Sequence, residues 1–150
     1  MTLFDVMKQA SSYDTVAQEL VTGMEISFEI GYAELMKTFH WTHDINIATV
    51  QTFLKILSKV PDTFIARKIG TKQISDIKEA VKQGRQESKW ISKKAGQILD
   101  LGGLTTKEGT TALWALDEEM QKLGRDFNPG TTADLTASSL MIALLCGLKF

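Results

Sequence analysis

Residues 44–70 have the sequence DINIATVQTFLKILSKVPDTFIARKIG, and the pattern in this stretch decides the fold that we predict. Four of its apolar residues share one helical face: Ile47, Val50, Leu54 and Leu57. Pro61 disfavours helical backbone at Val60, so this helix ends there. A second helix begins beside Asp62 and Thr63. The stretch therefore predicts two helices joined by a proline turn.

The remaining sequence also shows helical periodicity, and strand-like alternation does not persist beyond a few positions. Further helices are predicted at residues 1–10, after Asp14, at Ala33–Phe39, from Gly70 to Leu101, after Thr106, and from a cap at Thr131 or Thr132. Gly23 and Gly31 predict a break or a close helix contact. The sequence therefore predicts an all-α fold, a single-domain bundle of about six to eight helices.

The composition is that of one globular domain without a strong overall charge. The chain has 150 residues and a formal net charge of −1, so its field does not attract nucleic acid or an anionic membrane. We predict no partner of either kind. No apolar stretch reaches membrane-spanning length and the N-terminus lacks a signal-peptide pattern, which predicts a cytoplasmic protein.

The single cysteine, Cys146, lies in an apolar run and is predicted to pack in the core.

Both prolines of the chain lead into a polar cluster at a helix start. Pro61 precedes Asp62 and Thr63, and Pro129 precedes Gly130–Asp134. Free backbone N–H groups and the positive end of the helix dipole attract anions at such positions. A carboxylate there can also hold a metal ion beside a phosphate. The two turns are therefore the candidate functional clusters.

Each cluster also has a purely structural interpretation, and the residues alone leave both interpretations open. Asp134, in the first turn of an apolar helix, is either a local capping partner or a site carboxylate. Arg67 and Lys68 follow Asp62 by one to two turns, which suits an internal ion pair or a phosphate site. Gly130 would let the backbone approach a ligand closely.

Several oxygen-bearing side chains are candidates for binding a hard cation. Glu25 and Glu29 are four residues apart, and two like charges at that spacing repel mildly unless a cation lies between them. The oxygen donors considered are Glu25, Glu29, Asp44, Asn46, Asp62 and Asp134. Such donors suit Mg²⁺ with phosphates better than zinc. The spacing does not decide whether they converge.

The long polar helix carries a basic stripe, formed by Lys78, Lys82, Arg85, Lys89 and Lys93. Acidic residues lie close by, which favours a solvated face. The alternative is a track for a ligand with several phosphates.

Two segments are similar to motifs of a known enzyme family. Residues 128–135, NPGTTADL, resemble the closing motif of triphosphoribosyl-dephospho-CoA synthases, and residues 60–70, VPDTFIARKIG, resemble their Asp-Thr segment. Gly23 with Glu25, residues 44–48, 101–103 and 116–117 fit in the same order. The resemblance covers nearly the whole chain, and the sequences of these segments are most similar to those of the archaeal branch of the family.

The chain also departs from the family pattern. Phe64 and the pair Arg67-Lys68 stand where members often have Asn and His-Arg. The family's chain is about twice as long, and its Lys-Pro-Gly and Asn-Thr-His-Lys-Gly segments do not occur here. Residues 1–150 therefore resemble the C-terminal half alone, which we expect to be incomplete as an enzyme and to expose an apolar face that the absent half would cover.

The resemblance implies a transferase that converts ATP and 3′-dephospho-CoA into 2′-triphosphoribosyl-dephospho-CoA and adenine. It implies Mg²⁺ bound with ATP, held by carboxylates of Glu25, Asp44, Asp62 and Asp134. Asp62 and Asp134 are also the implied catalytic residues. The implied substrate contacts are Thr63, Arg67, Lys68, Asn128, Gly130, Thr131 and Thr132. An N-terminal-half polypeptide or a second copy of the chain is the implied partner. The alternative is a helical nucleotide-binding or protein-interaction module without catalysis.

Overall fold

Most helices begin directly after a side chain that caps their first turn. In the computed structural model, which describes residues 1–150, Asp14 accepts hydrogen bonds from the backbone N–H groups of Val16 and Ala17. Asp44, Asp62, Asp76 and Thr106 cap four later helices in the same way. These local caps are why most predicted helix starts are confirmed. The long helix predicted to follow Gly70 begins only at Ile77, after the cap at Asp76.

The eight α-helices are α1 (Leu3–Ala10), α2 (Thr15–Thr22), α3 (Ala33–Thr42), α4 (Ile45–Lys59), α5 (Thr63–Gly70), α6 (Ile77–Asp100), α7 (Lys107–Leu123) and α8 (Gly130–Leu145). Short 3₁₀ turns at Gly103–Thr105 and Arg125–Phe127 flank α7. No β-strand is present, so the predicted all-α bundle is confirmed. None of the helices has both the length and the apolar character that crossing a bilayer requires.

The segment between α2 and α3 departs from α-helical geometry. Gly23 follows α2 in the left-handed conformation, with a φ angle of 75°. Ser27–Tyr32 then forms a π-helical turn that continues into α3. Gly31 lies so close to α8 that a Cβ atom there would be 1.8 Å from Ser139 Oγ. The predicted break and the predicted close contact are therefore both confirmed.

The main core lies where α4, α5, α6 and α7 meet, and α4 also contacts α3 and α8. Its buried members are Leu54, Leu57, Ile65, Ile69, Ile91, Ala95, Ile98, Leu116 and Met120. Because α5 packs along α6 and contributes Ile65 and Ile69, the start of α5 is held in a fixed position. Asp62 and Thr63 lie at that start.

The C-terminal region differs from the sequence prediction in two ways. Cys146 is exposed, since α8 ends at Leu145, so the prediction that it packs in the core is wrong. The last helix begins at Gly130, and Pro129 before it provides no side-chain cap. The predicted cap at Thr131 or Thr132 is therefore also wrong, because both residues already lie inside the first turn.

Candidate functional site

One buried carboxylate, that of Asp62, joins the two proline turns. Its Oδ1 accepts hydrogen bonds from the backbone N–H groups of Phe64 at 2.9 Å and Ile65 at 3.0 Å, which caps α5. Its Oδ2 accepts from the backbone N–H of Thr132 at 2.7 Å and from Thr132 Oγ1 at 2.8 Å. Asp62 therefore caps α8 as well, although α8 begins far along the chain. Only 3% of the residue is exposed.

Two threonine hydroxyls complete this contact. Thr63 Oγ1 and Thr131 Oγ1 lie 3.2 Å apart, and the Phe64 N–H donates to Thr131 Oγ1 at 3.2 Å. Thr63 Oγ1 also accepts a hydrogen bond from the backbone N–H of Thr15. We call Asp62, Thr63, Thr131 and Thr132 the Asp62 junction. All four are buried, and the junction brings the starts of α2, α5 and α8 together.

Asp134 does not take part in the Asp62 junction. It follows Thr132 by two positions, which places it about 200° around the helix from Thr132. Its side chain is exposed. No hydrogen bond or ion pair involves it, so it is not a capping residue in this structure. The two implied catalytic carboxylates, Asp62 and Asp134, are therefore not brought together.

The implied phosphate partners lie on the outer side of α5. Arg67 Nη1 is 4.0 Å from Asp14 Oδ2. The guanidinium carbon of Arg67 and the Nζ of Lys68 lie 5.6 Å and 5.4 Å from the centre of the Phe64 ring. Gly130 also lies beside Phe64, since a Cβ atom there would meet the ring at 3.6 Å. Neither cation contacts Asp62.

The four implied metal carboxylates do not form one cluster, and the hypothesis that they converge is corrected. No group of three or more His, Cys, Asp or Glu side chains is placed to hold a metal ion. Asp44 caps α4, with Oδ1 accepting from the N–H groups of Asn46 and Ile47. Asp62 caps α5 and α8. The physical reason is that carboxylates at helix starts turn toward the free N–H groups beside them.

Glu25 lies elsewhere, in a cleft of about 320 Å³ between the start of α2, the π-helical turn, the end of α4 and the middle of α6. The polar residues of this cleft are Thr15, Gln18, Glu25, Glu29, Lys59 and Arg85. We call it the charged cleft. Pro61 also lines it, and the Thr15 N–H donates to Thr63 Oγ1, so the charged cleft adjoins the Asp62 junction.

A buried carboxylate that sequence reasoning missed positions one wall of the charged cleft. Glu19, with 2% exposure, accepts hydrogen bonds from the backbone N–H groups of Ile26 at 2.7 Å and Ser27 at 2.8 Å. Ser27 Oγ donates to the same carboxylate at 2.6 Å. These bonds fix the chain between Glu25 and Glu29. The sequence carried no signal for this role of Glu19. Gly23 and Met24 have positive φ angles, so helical spacing does not predict that Ile26 and Ser27 lie beside Glu19.

A second, mostly apolar cavity of about 580 Å³ lies between α4, α7 and the Arg125–Phe127 turn. Asn128 lines this cavity and not the Asp62 junction. The turn beside it is held by Lys72, whose Nζ lies 2.6 Å from Asp126 Oδ2. The hydrogen bond from Lys72 lowers the pKa of Asp126 below its usual value. The implied substrate contacts are thus divided between two regions.

The fold and the site together describe an all-α protein. In it, a charged cleft lies next to a buried aspartate that caps two helices. The chain matches the model of the CitG family, ATP:dephospho-CoA triphosphoribosyl transferase, over residues 1–149. The chain therefore belongs to this family, and the resemblance seen in its motifs is confirmed.

A curated relative supports the same assignment. It is a probable 2-(5″-triphosphoribosyl)-3′-dephosphocoenzyme-A synthase of Pseudomonas fluorescens, 28% identical over 125 residues, which are 83% of this chain and 38% of the relative. The chain thus spans well under half the length of the curated relative that it matches. No solved structure matches the chain.

Proposed function

We propose that this chain is the C-terminal half of a triphosphoribosyl-dephospho-CoA synthase-like transferase and acts together with an N-terminal-half polypeptide. The observation that carries the proposal is the family match over residues 1–149, combined with the 38% coverage of the relative. In the reaction, the bond between C1′ and adenine N9 of ATP breaks. A bond forms between C1′ and the 2′-oxygen of dephospho-CoA, and the hydroxyl proton ends on the adenine.

Within this reaction we assign a positioning role to the Asp62 junction. Each oxygen of Asp62 already accepts two hydrogen bonds, three from backbone N–H groups and one from the Thr132 hydroxyl, so the carboxylate is fully engaged within the protein. It orders the two turns that carry the family motifs. Direct contacts with substrate fall to side chains that are accessible, among them Arg67, Lys68 and the residues of the charged cleft.

We propose that Mg²⁺ would bind here as an ion shared with the substrate. No protein-only cage is present, whereas Mg²⁺ bound to nucleotides typically takes one or two carboxylates and completes its shell with phosphate oxygens and water. Glu25 and Glu29 offer two carboxylates in one cleft, so they are the residues that would hold it. The bound ion would neutralise charge on the phosphates.

Exposed apolar side chains support the need for a partner. On α8, Met141, Leu144 and Leu145 are exposed by 62%, 46% and 78% at consecutive turns of one face. Helix α1 contributes no buried residue at all, and its Leu3 and Phe4 are exposed. Burial of such surface is favourable, so we assign α1 and α8 to the interface with the N-terminal-half polypeptide.

The test is adenine release from ATP and dephospho-CoA by this chain alone, by the N-terminal-half polypeptide alone, and by their mixture. We expect release only from the mixture. A mixture that forms a stable complex and releases no adenine would overturn the transferase proposal and leave a helical interaction module.

A further inference from the structure

The charged cleft contains four charged side chains that do not neutralise one another. Glu29 lies in the π-helical turn and Glu25 lies two residues before it, whereas Lys59 and Arg85 come from α4 and α6. The six ion pairs of the molecule involve none of these four residues. Glu25, Glu29 and Lys59 are exposed, whereas Arg85 is partly buried, so Arg85 is the charge whose lack of an ion pair calls for an explanation. Here, both signs line one concave site and stay separate.

The same cleft gathers the unpaired buried polar atoms of the chain. Only two buried side-chain polar atoms lack a hydrogen-bond partner, Thr15 Oγ1 and Arg85 Nε, and both residues line the charged cleft. Thr15 is only 1% exposed. Burying a polar group without a partner costs free energy, and such exceptions in a folded protein call for an explanation. A ligand that supplies acceptor oxygens at this position explains both atoms together.

We propose that the charged cleft is a polyphosphate subsite, in which Arg85 and Lys59 bind phosphate oxygens and Thr15 donates its hydroxyl to the same group. A guanidinium with a free Nε is suited to the two-point binding of a phosphate. Glu25 and Glu29 would hold the Mg²⁺ ion that accompanies the phosphates. This inference rests on the proposed function and names the place of its triphosphate.

The carboxylates select the kind of anion that the cleft takes. Glu25 and Glu29 would repel a simple anion such as acetate or a free phosphate near Arg85. A Mg²⁺ ion bound together with the polyphosphate would turn that repulsion into attraction. The volume of about 320 Å³ is at the small end of ligand pockets. The cleft therefore takes the polyphosphate and leaves the nucleoside outside, next to the Asp62 junction.

The experiment is calorimetric titration of the 150-residue chain with Mg²⁺–tripolyphosphate and with Mg²⁺–ATP. We expect both to bind, and tripolyphosphate to compete with ATP. Arg85→Gln should weaken both about tenfold or more, since it removes a charged hydrogen-bond donor. The control is Lys89→Gln, which removes a charge from an exposed position four residues further along α6 and should change the affinity less than about twofold.

Two further variants keep the test decisive. Lys59→Gln alters an exposed residue at the end of α4, so it tests the same site if Arg85→Gln fails to fold. Glu25→Gln combined with Glu29→Gln should abolish the Mg²⁺ dependence of binding. Equal affinity of Arg85→Gln or Lys59→Gln and the parent chain would overturn the subsite.

The outcomes separate the subsite from the proposed function. Adenine release by the mixture of the two halves, without tripolyphosphate binding in the charged cleft, would overturn the subsite and leave the transferase. Tripolyphosphate binding that depends on Arg85, without adenine release, would support the subsite and overturn the transferase.

Discussion

The Asp62 junction and the charged cleft are neighbours, and they use their polar groups in opposite ways. In the junction, each oxygen of the Asp62 carboxylate accepts two hydrogen bonds. In the charged cleft, two acids and two bases have no ion pair, and two buried atoms have no hydrogen bond. A fully paired polar cluster stabilises the architecture, whereas an unpaired one is available to a ligand.

The position of each acid relative to a helix explains the difference. Asp62 precedes the first turn of α5, where free backbone N–H groups are the nearest donors. Glu25 opens the helical segment after Gly23, but the N–H groups of Ile26 and Ser27 beside it are already bonded to Glu19. Glu29 lies one turn further on, inside the helical segment. Their carboxylates therefore remain free. Acids at helix starts attract attention in a sequence, yet they are the ones most readily satisfied by their own backbone.

The largest effect is expected from Asp62→Ala. The change removes the cap shared by α5 and α8 and leaves their buried N–H and hydroxyl donors without an acceptor, which we estimate to cost about 2–5 kcal/mol of unfolding free energy. Urea denaturation followed by circular dichroism measures it. A loss below about 1 kcal/mol would show that the junction does not hold the turns together.

A smaller loss is expected from Thr132→Val, which keeps the shape of the side chain and removes the hydroxyl. Thr132 Oγ1 donates to Asp62 Oδ2 at 2.8 Å, and a hydrogen bond to a charged group is worth about 1.5–3 kcal/mol. The same denaturation measurement applies. An unchanged unfolding free energy would show that the Thr132 hydroxyl does not stabilise the Asp62 junction.

The same substitution in the charged cleft, Thr15→Val, should leave stability within about 0.5 kcal/mol of the parent, or raise it. Thr15 Oγ1 has no partner to lose, and the backbone bond from Thr15 to Thr63 is kept. Binding of Mg²⁺–tripolyphosphate should weaken nonetheless. Thr15→Val and Thr132→Val thus form a matched pair, and equal loss of stability in both would contradict the distinction between the two regions.

The smallest effect is expected from Asp134→Asn. This carboxylate is exposed and unpaired, so the unfolding free energy should change by less than about 0.5 kcal/mol. Titration with Mg²⁺–ATP should give the same affinity as the parent chain. A clear loss of affinity would return Asp134 to the substrate-binding residues.

Sequence reasoning succeeded where the cause is local. The caps at Asp14, Asp44 and Thr106 were predictable, because each bonds to N–H groups two or three residues away. The break at Gly23 follows from the preference of glycine for left-handed backbone. Family motifs predicted that the two proline turns matter, but they did not predict that Asp62 would bond to Thr132.

The rest depends on packing between distant segments. Arg85 was one of five basic residues in a stripe, and only its place in the charged cleft, set by the packing of α6 against α4 and α5, distinguishes it from Lys82 and Lys89. Asp134 shared a motif with Thr132, yet the helical rotation between them separates the two side chains. Spacing along the chain fixes such rotations within one helix, but it does not say which face a neighbouring helix covers.

The capping of two helices by Asp62 also has a consequence for local opening of the protein. Its carboxylate links backbone amides at Ile65 and Thr132, and Thr132 lies 70 residues from Asp62 in sequence. Because one carboxylate holds both helix starts, we expect the opening of either start to loosen the other. The two should therefore show matching deuterium uptake, as members of one cooperative opening unit.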